Sequence, residues 1–228
     1  MKHSGKPLKA AFRIIFWTLV LLLALFAAGK LATLLGSAVV AVSSALVGLW
    51  ILFVLFTLYF FRDPEPLANQ DPKAIVAPGH GKVDVIDETT EAEFMGGPCK
   101  RISIFLSVFD VHVQRAPLTG KLVYHKYSEG EFLSATRADC GEHNENALLG
   151  FVPAQSPEQK VGLRLIAGLI ARRINVWAVA GESVTRGERI GLIQFGSRCH
   201  VYLPLDAKIN VKLGDRVKVG ESVIASLR

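Results

Sequence analysis

The chain has 228 residues, half of them apolar, with 26 basic and 20 acidic residues and a net charge of +6. The excess is local: Lys2, Lys6, Lys9, Arg13 and Lys30 precede residue 62, every acidic residue follows it, and residues 62–228 are close to neutral. That balance gives no electrostatic support for nucleic-acid binding, and three scattered cysteines, Cys99, Cys140 and Cys199, without a CxxC, argue against a disulfide scaffold or structural zinc and suit a reducing compartment.

Residues 1–13 are basic and carry no acid. Residues 14–29 and 31–61 are apolar runs separated by Lys30. A helix needs about 20 apolar residues to cross a bilayer. The combined length predicts two transmembrane helices, over 12–32 and 38–61, with Gly36-Ser37 near the turn. Apolar sequence resumes after the first run, so no signal-peptide cleavage site stands out. Four basic residues precede the first apolar run and Lys30 alone lies near the turn. The positive-inside bias then places both ends of the hairpin in the cytoplasm.

Tyr59-Phe60-Phe61-Arg62-Asp63-Pro64 reads as the exit from the membrane. Residues 62–73 hold Pro64, Pro66 and Pro72 and read as a linker. Residues 74–228 predict a mostly β domain. Strand candidates are 75–77, 83–86, 101–109, 121–127, 163–166, 190–195, 201–203 and 223–227, punctuated by Gly, Pro and Asp. Residues 167–177 fit helix or strand equally. A repeat, G-[DE]-x-V-x-x-G-E, occurs at Gly181–Glu188 and again at Gly214–Glu221. Turns of this kind lead into strands and occur in hybrid β-sandwich modules.

Gly196-Ser197 lies between two strand-like runs, in Phe195-Gly196-Ser197-Arg198. One reading is a bulge or tight turn. The other is a self-cleaving peptide, in which the Ser197 hydroxyl attacks the Gly196 carbonyl. His112 reads, on residue type alone, as a strand-end histidine held by the backbone.

Four ordered stretches resemble phosphatidylserine decarboxylases of the short, membrane-anchored prokaryotic type. They are the Tyr59-to-Pro64 exit and Ile104-Phe105-Leu106-Ser107-Val108-Phe109-Asp110-Val111-His112-Val113-Gln114-Arg115-Ala116-Pro117. The others are Ile166-Ala167-Gly168-Leu169-Ile170-Ala171-Arg172-Arg173-Ile174 and Gly187-Glu188-Arg189-Ile190-Gly191-Leu192-Ile193-Gln194-Phe195-Gly196-Ser197-Arg198. The resemblance implies an α+β, mostly β catalytic domain behind a transmembrane hairpin. It also implies self-cleavage between Gly196 and Ser197, giving a large chain, 1–196, and a small chain, 197–228. Ser197 would become a covalent pyruvoyl group, the cofactor. That group would condense with the amine of phosphatidylserine and stabilise the carbanion left by CO₂. The product would be phosphatidylethanolamine, made at the cell membrane on the cytoplasmic side. His112 matches the family histidine and is the candidate for proton handling. Homo-oligomers are compatible with this reading.

The sequence departs from the family at three places. Pro78-Gly79-His80-Gly81 stands where Pro-Ala-Asp-Gly is usual, His200 replaces an acid, and His143-Asn144-Glu145-Asn146 keeps only a central Asn-Glu pair. In one reading His80 replaces the aspartate as the base that activates Ser197, and aspartate at position 80 would preserve cleavage. In the other the chain is an unprocessed, inactive membrane-anchored scaffold of the same fold. His80, His143, His200 and Cys199 are ligand types for a metal, but without ligand spacing.

Overall fold

The computed structural model describes residues 6–31, 36–67, 71–137, 140–170 and 173–228. The basic arm before residue 6 and the segment 32–35 lie outside the described residues. Contacts divide the chain into a helical unit ending at Arg62 and a β unit from Asp63.

The helical unit is two helices, α1 (Lys6–Leu31) and α2 (Ser37–Phe60). Helix α1 starts earlier than its apolar run because Lys6 and Lys9 continue it into polar sequence. Within them Pro7–Lys30 and Ala38–Phe60 are each long and apolar enough to cross a bilayer. The hydroxyls of Ser43, Ser44 and Thr57 each donate to a carbonyl one turn back, at 2.8 Å. These three hydroxyls are thus satisfied inside the helix, as an apolar solvent demands. A Cβ at Gly29 would lie 3.0 Å from Ser43 Oγ, so small residues let the two helices approach closely.

The β unit contains β1 (Ala74–Val76), β2 (Gly81–Glu91), β3 (Gly97–Leu106), β4 (Val113–Arg115), β5 (Gly120–Ser128), β6 (Asn146–Pro153) and β7 (Val161–Ala167). It continues through β8 (Ile174–Val176), β9 (Ser183–Val184), β10 (Arg189–Ile193), β11 (Ser197–Leu203), β12 (Lys208–Ile209), β13 (Arg216–Val217) and β14 (Val223–Ser226). A short helix, α3 (Cys140–His143), precedes β6. One sheet has the order β13-β2-β3-β11-β7-β6-β5-β9, and two smaller ones are β1-β14-β12 and β4-β10-β8.

This pairing pattern has twofold symmetry. The ladders β3–β11, β2–β13, β1–β14 and β12–β14 form one half. The ladders β6–β7, β5–β9, β4–β10 and β8–β10 form the other, and the halves join where β7 pairs antiparallel with β11. The G-[DE]-x-V-x-x-G-E repeat is one sign of this duplication. Gly181 and Gly214 have φ of 97° and 93°, and Gly187 and Gly220 have 77° and 74°. Both copies therefore make the same turn on left-handed residues that glycine adopts without penalty. A second signal, Ala-Pro-x-x-Gly-Lys, opens β2 and β5. A Cβ at Gly81 would lie 2.1 Å from the Phe105 carbonyl oxygen, and one at Gly120 would lie 2.2 Å from that of Val152. Only glycine fits at either place.

The buried core runs through both halves, from Ile75, Val83, Ile102 and Ile104 to Leu149, Phe151, Leu163 and Leu165. Strand β6 was not expected from sequence, because it is buried on both faces and its apolar run lacks alternation. The candidate strand 101–109 ends at Leu106, which frees residues 107–112 as a loop, and 190–195 ends at Ile193. Of residues 167–177, Ala167 ends β7, 174–176 are strand, and 171–172 lie outside the described residues. The segment after Arg62 is fastened to the β unit. Asp63 pairs with Arg115 and Arg189, and Glu65 with Arg189.

Candidate active site

Strand β10 ends at Ile193 and β11 begins at Ser197. The three residues between them turn sharply. Phe195 has φ of 57° and is the sole non-glycine residue at positive φ among the described residues; Gly196 follows at 78°. A bulky side chain in the left-handed region costs of the order of 1–2 kcal/mol. A Cβ at Gly196 would meet nothing closer than Val108 Cγ1, at 3.7 Å. Glycine is needed here for its dihedral angle, not for space.

Ser197 is held from both sides, paired with Leu106 of β3 and Ala167 of β7. It is fully buried, and its Oγ has no hydrogen-bond partner. A buried hydroxyl left without a partner costs about 1–3 kcal/mol, and such groups ask for a functional reason. The hydroxyl is one residue from the Gly196 carbonyl.

His112 is buried beside this turn. Its Nε2 accepts the Gly196 N–H at 3.1 Å. Its Nδ1 lies 2.9 Å from the Asp110 carbonyl oxygen, which can only accept. The two bonds together require the neutral tautomer protonated at Nδ1. Ile193, just before the turn, donates its N–H to Gln114 Oε1 at 3.0 Å. The loop 107–112 and β4 thus grip the turn at two amides.

The same loop supplies a carboxylate. Asp110 Oδ2 accepts from the Ser107 N–H and from Ser107 Oγ, both at 2.8 Å. Its Oδ1 faces Arg216 at 3.1 Å and His80 Nε2 at 3.8 Å. His80 comes from the β1–β2 connection. Its neighbour Gly79 lies against β11, where a Cβ would be 3.2 Å from Cys199 Sγ. His80 and His112 therefore both converge on Asp110, one on its carboxylate and one on its carbonyl.

A third loop closes on the Gly196 carbonyl. A Cβ at Gly168 would lie 2.6 Å from that oxygen and 3.1 Å from Ala135 Cβ. Asn144 ties the parts together, bonding both the N–H and the carbonyl of Leu133 and the carbonyl of Ala167. The Glu145 carbonyl accepts from the Ala167 N–H at 2.9 Å, and its carboxylate accepts from the Ile174 N–H at 3.3 Å. The Asn-Glu pair that the sequence retains is thus scaffolding for the loop over the Gly196 carbonyl.

His143 and His200 lie elsewhere. His143 is exposed on α3. Alternation along β11 puts Ser197 and Cys199 on one face and Arg198, His200 and Tyr202 on the other. Arg198 bonds the Ala135 carbonyl, Ser103 and Asp84. Burial, then the cations Arg101, Arg198 and Arg164, push the His200 pKa down to about 3. Burial pushes the Cys199 thiol up to about 12. His200 cannot share a ligand with Cys199 across the strand. Among the described residues no three His, Cys, Asp or Glu side chains group as a metal would require. Asp110, Gln114 and Gly168 were not singled out from sequence. The Ser-x-x-Asp spacing of Ser107 and Asp110, a side chain capping a loop, was the available signal for the first.

The site is thus an internal Gly-Ser bond in a strained turn, with a histidine on its amide. The profile of phosphatidylserine decarboxylases matches residues 53–225. A phosphatidylserine decarboxylase proenzyme of Desulfotalea psychrophila is 42% identical over 78% of this chain and 83% of its own. One of Symbiobacterium thermophilum is 43% identical over 82% and 84%. One of Pelobacter propionicus is 42% identical over the whole of both chains. The chain belongs to the phosphatidylserine decarboxylase family.

Proposed function

We infer that the chain cuts itself between Gly196 and Ser197 and then decarboxylates phosphatidylserine to phosphatidylethanolamine. The observation that carries this reading is the buried, unpartnered Ser197 Oγ behind the strained Phe195-Gly196 turn. Ser197 Oγ adds to the Gly196 carbonyl carbon and the Gly196–Ser197 C–N bond breaks, leaving an ester and a free Ser197 amine. Loss of the Ser197 α-proton expels the Gly196 carboxylate. The resulting enamine tautomerises, takes up one water and releases ammonia, and the small chain then begins with a pyruvoyl group.

The residues present suit that group. Ser197 supplies its carbons, and the β3 and β7 ladders hold the new terminus in place. When formed, the ketone supplies an electron sink for the electron pair left as CO₂ departs. His80, oriented by Asp110, takes the Ser197 hydroxyl proton. His112 first holds the turn through the Gly196 N–H. After the cut its Nε2 is available to handle the proton that completes the product. Helices α1 and α2 cross the cell membrane, with both ends and the β unit in the cytoplasm.

Intact-mass measurement of purified protein tests the processing, with two chains, 1–196 and 197–228, as the expected result. Ser197→Ala is expected to give one chain of 228 residues and no CO₂ from phosphatidylserine. A wild-type chain that stays whole would favour the unprocessed scaffold, and wild-type turnover by Ser197→Ala would end the pyruvoyl mechanism.

A further inference from the structure

Two of the loops that touch Gly196 end in exposed apolar side chains. Val108 packs near Gly196, and the next residue, Phe109, is 63% exposed. Gly168 lies against the Gly196 carbonyl, and the next two, Leu169 and Ile170, are 66% and 62% exposed. Leu169-Ile170 is the single adjacent pair of large, exposed apolar residues among the described residues of the β unit. Single exposed apolar residues are ordinary. Three beside a reacting bond, on two separate loops, are not.

The geometry points to a membrane-entering rim: Phe109, Leu169 and Ile170 insert into the lipid interface and bring the site to the head groups. This rests on the reading of the substrate as a bilayer lipid. Two observations favour a bilayer over a protein partner. The β unit follows, after residues 61–73, a helix apolar enough to span a membrane. Exposed Arg173 comes three residues after Ile170, and a cation flanking an apolar tip suits anionic head groups. The substrate itself is anionic. A serine head group sits at the interface, so a site that does not dip must wait for the lipid to leave the bilayer. The rim removes that step.

The test uses the full chain in nanodiscs containing phosphatidylserine. All three native cysteines are buried, so Ile170→Cys can be labelled with an environment-sensitive fluorophore. The expected result is quenching by lipid-borne nitroxide and protection from aqueous iodide. Leu205→Cys, beyond the far end of β11 from Ser197, is the control and should show the reverse. Aqueous quenching of the Ile170 label would overturn the rim, as would a label shielded only by a second copy in cross-linking. A second measurement compares turnover of bilayer phosphatidylserine with that of its monomeric dihexanoyl form. Leu169→Ser/Ile170→Ser should lower that ratio about tenfold, and an unchanged ratio would count against the rim. If wild type turns over neither lipid, the decarboxylase reading fails, whereas the quenching result still decides the rim.

Discussion

The imidazole of His112 and the amide of Gly196 share one hydrogen bond, 3.1 Å long, at the residue that precedes Ser197. It holds the turn at the point where Phe195 and Gly196 both take left-handed dihedrals. His112→Ala removes the acceptor and lets the turn relax. Processing should slow by at least about 100-fold, within the range for losing a positioned acid–base group. Any small chain that does form should show little CO₂ release. A denaturing gel time course and a CO₂ assay on the processed fraction separate the two effects. Wild-type processing in this variant would remove His112 from the cleavage step.

Gly168 sets the space around the scissile carbonyl. Alanine there would put a methyl group 2.6 Å from the Gly196 carbonyl oxygen, whose carbon must become tetrahedral in the proposed cleavage. Overpacking of this kind costs about 1–3 kcal/mol. Gly168→Ala should slow processing about tenfold or more while the chain still folds. Gly97→Ala, where a Cβ meets open space, is the control and should process at the wild-type rate.

The Asp110 carboxylate lies 3.8 Å from His80, which changes what aspartate at position 80 would do. Sequence alone predicts that His80→Asp preserves cleavage. In the structure that substitution sets two carboxylates together, and like charges at such range raise one pKa and keep one group protonated. His80→Asp should therefore process more slowly than wild type, and adding Asp110→Asn should recover much of the rate. His80→Ala and Asp110→Asn alone should both be slow. Acid should halt the wild-type reaction by protonating the imidazole, while the recovered double variant should work to lower pH. Accumulation of the 32-residue fragment, 197–228, measures all of these. Full processing by His80→Ala would transfer the base to another group.

His200 is neutral in the folded chain down to about pH 3, because it is buried among Arg101, Arg198 and Arg164. An unfolded chain protonates its histidine near pH 6.5. Between those values the unfolded state binds the extra proton, so folding stability falls as pH falls. The slope approaches 1.4 kcal/mol per pH unit from this residue. His200→Gln should flatten the dependence of the β unit's thermal midpoint between pH 6.5 and 4. Equal acid sensitivity in both proteins would mean that His200 titrates normally.

Much of this was legible in the chain. Two apolar runs with one lysine between them can make little else than two helices. The G-[DE]-x-V-x-x-G-E repeat carried the duplicated turn because left-handed residues leave a glycine mark. Gly196-Ser197 and His112 were visible through family motifs. Strand β6 was hidden because burial on both faces erases alternation. Asp110 and Gly168 were hidden for another reason. Their importance lies in what stands opposite them, a histidine from the β1–β2 connection and a carbonyl 28 residues away in sequence, and one-dimensional spacing does not report either. His200 presents to the face of β11 opposite Ser197 and Cys199, because one step along a strand reverses the side a residue presents.

The Gly196–Ser197 bond lies where the chain passes from one half of the duplicated fold back into the other. The cut inferred above would leave strands β1 to β3 in the large chain and their partners β11 to β14 in the small one. One half of the fold would then be a complex of two polypeptides. The uncut chain, once opened, recovers its last four strands by a tethered, first-order search. After a cut the 32-residue fragment would have to be found again by diffusion, and recovery would depend on concentration. Such a cut would convert a reversible opening into a loss that dilution makes permanent. The lifetime of the assembly would become a matter of how slowly β11 leaves the two strands that flank it.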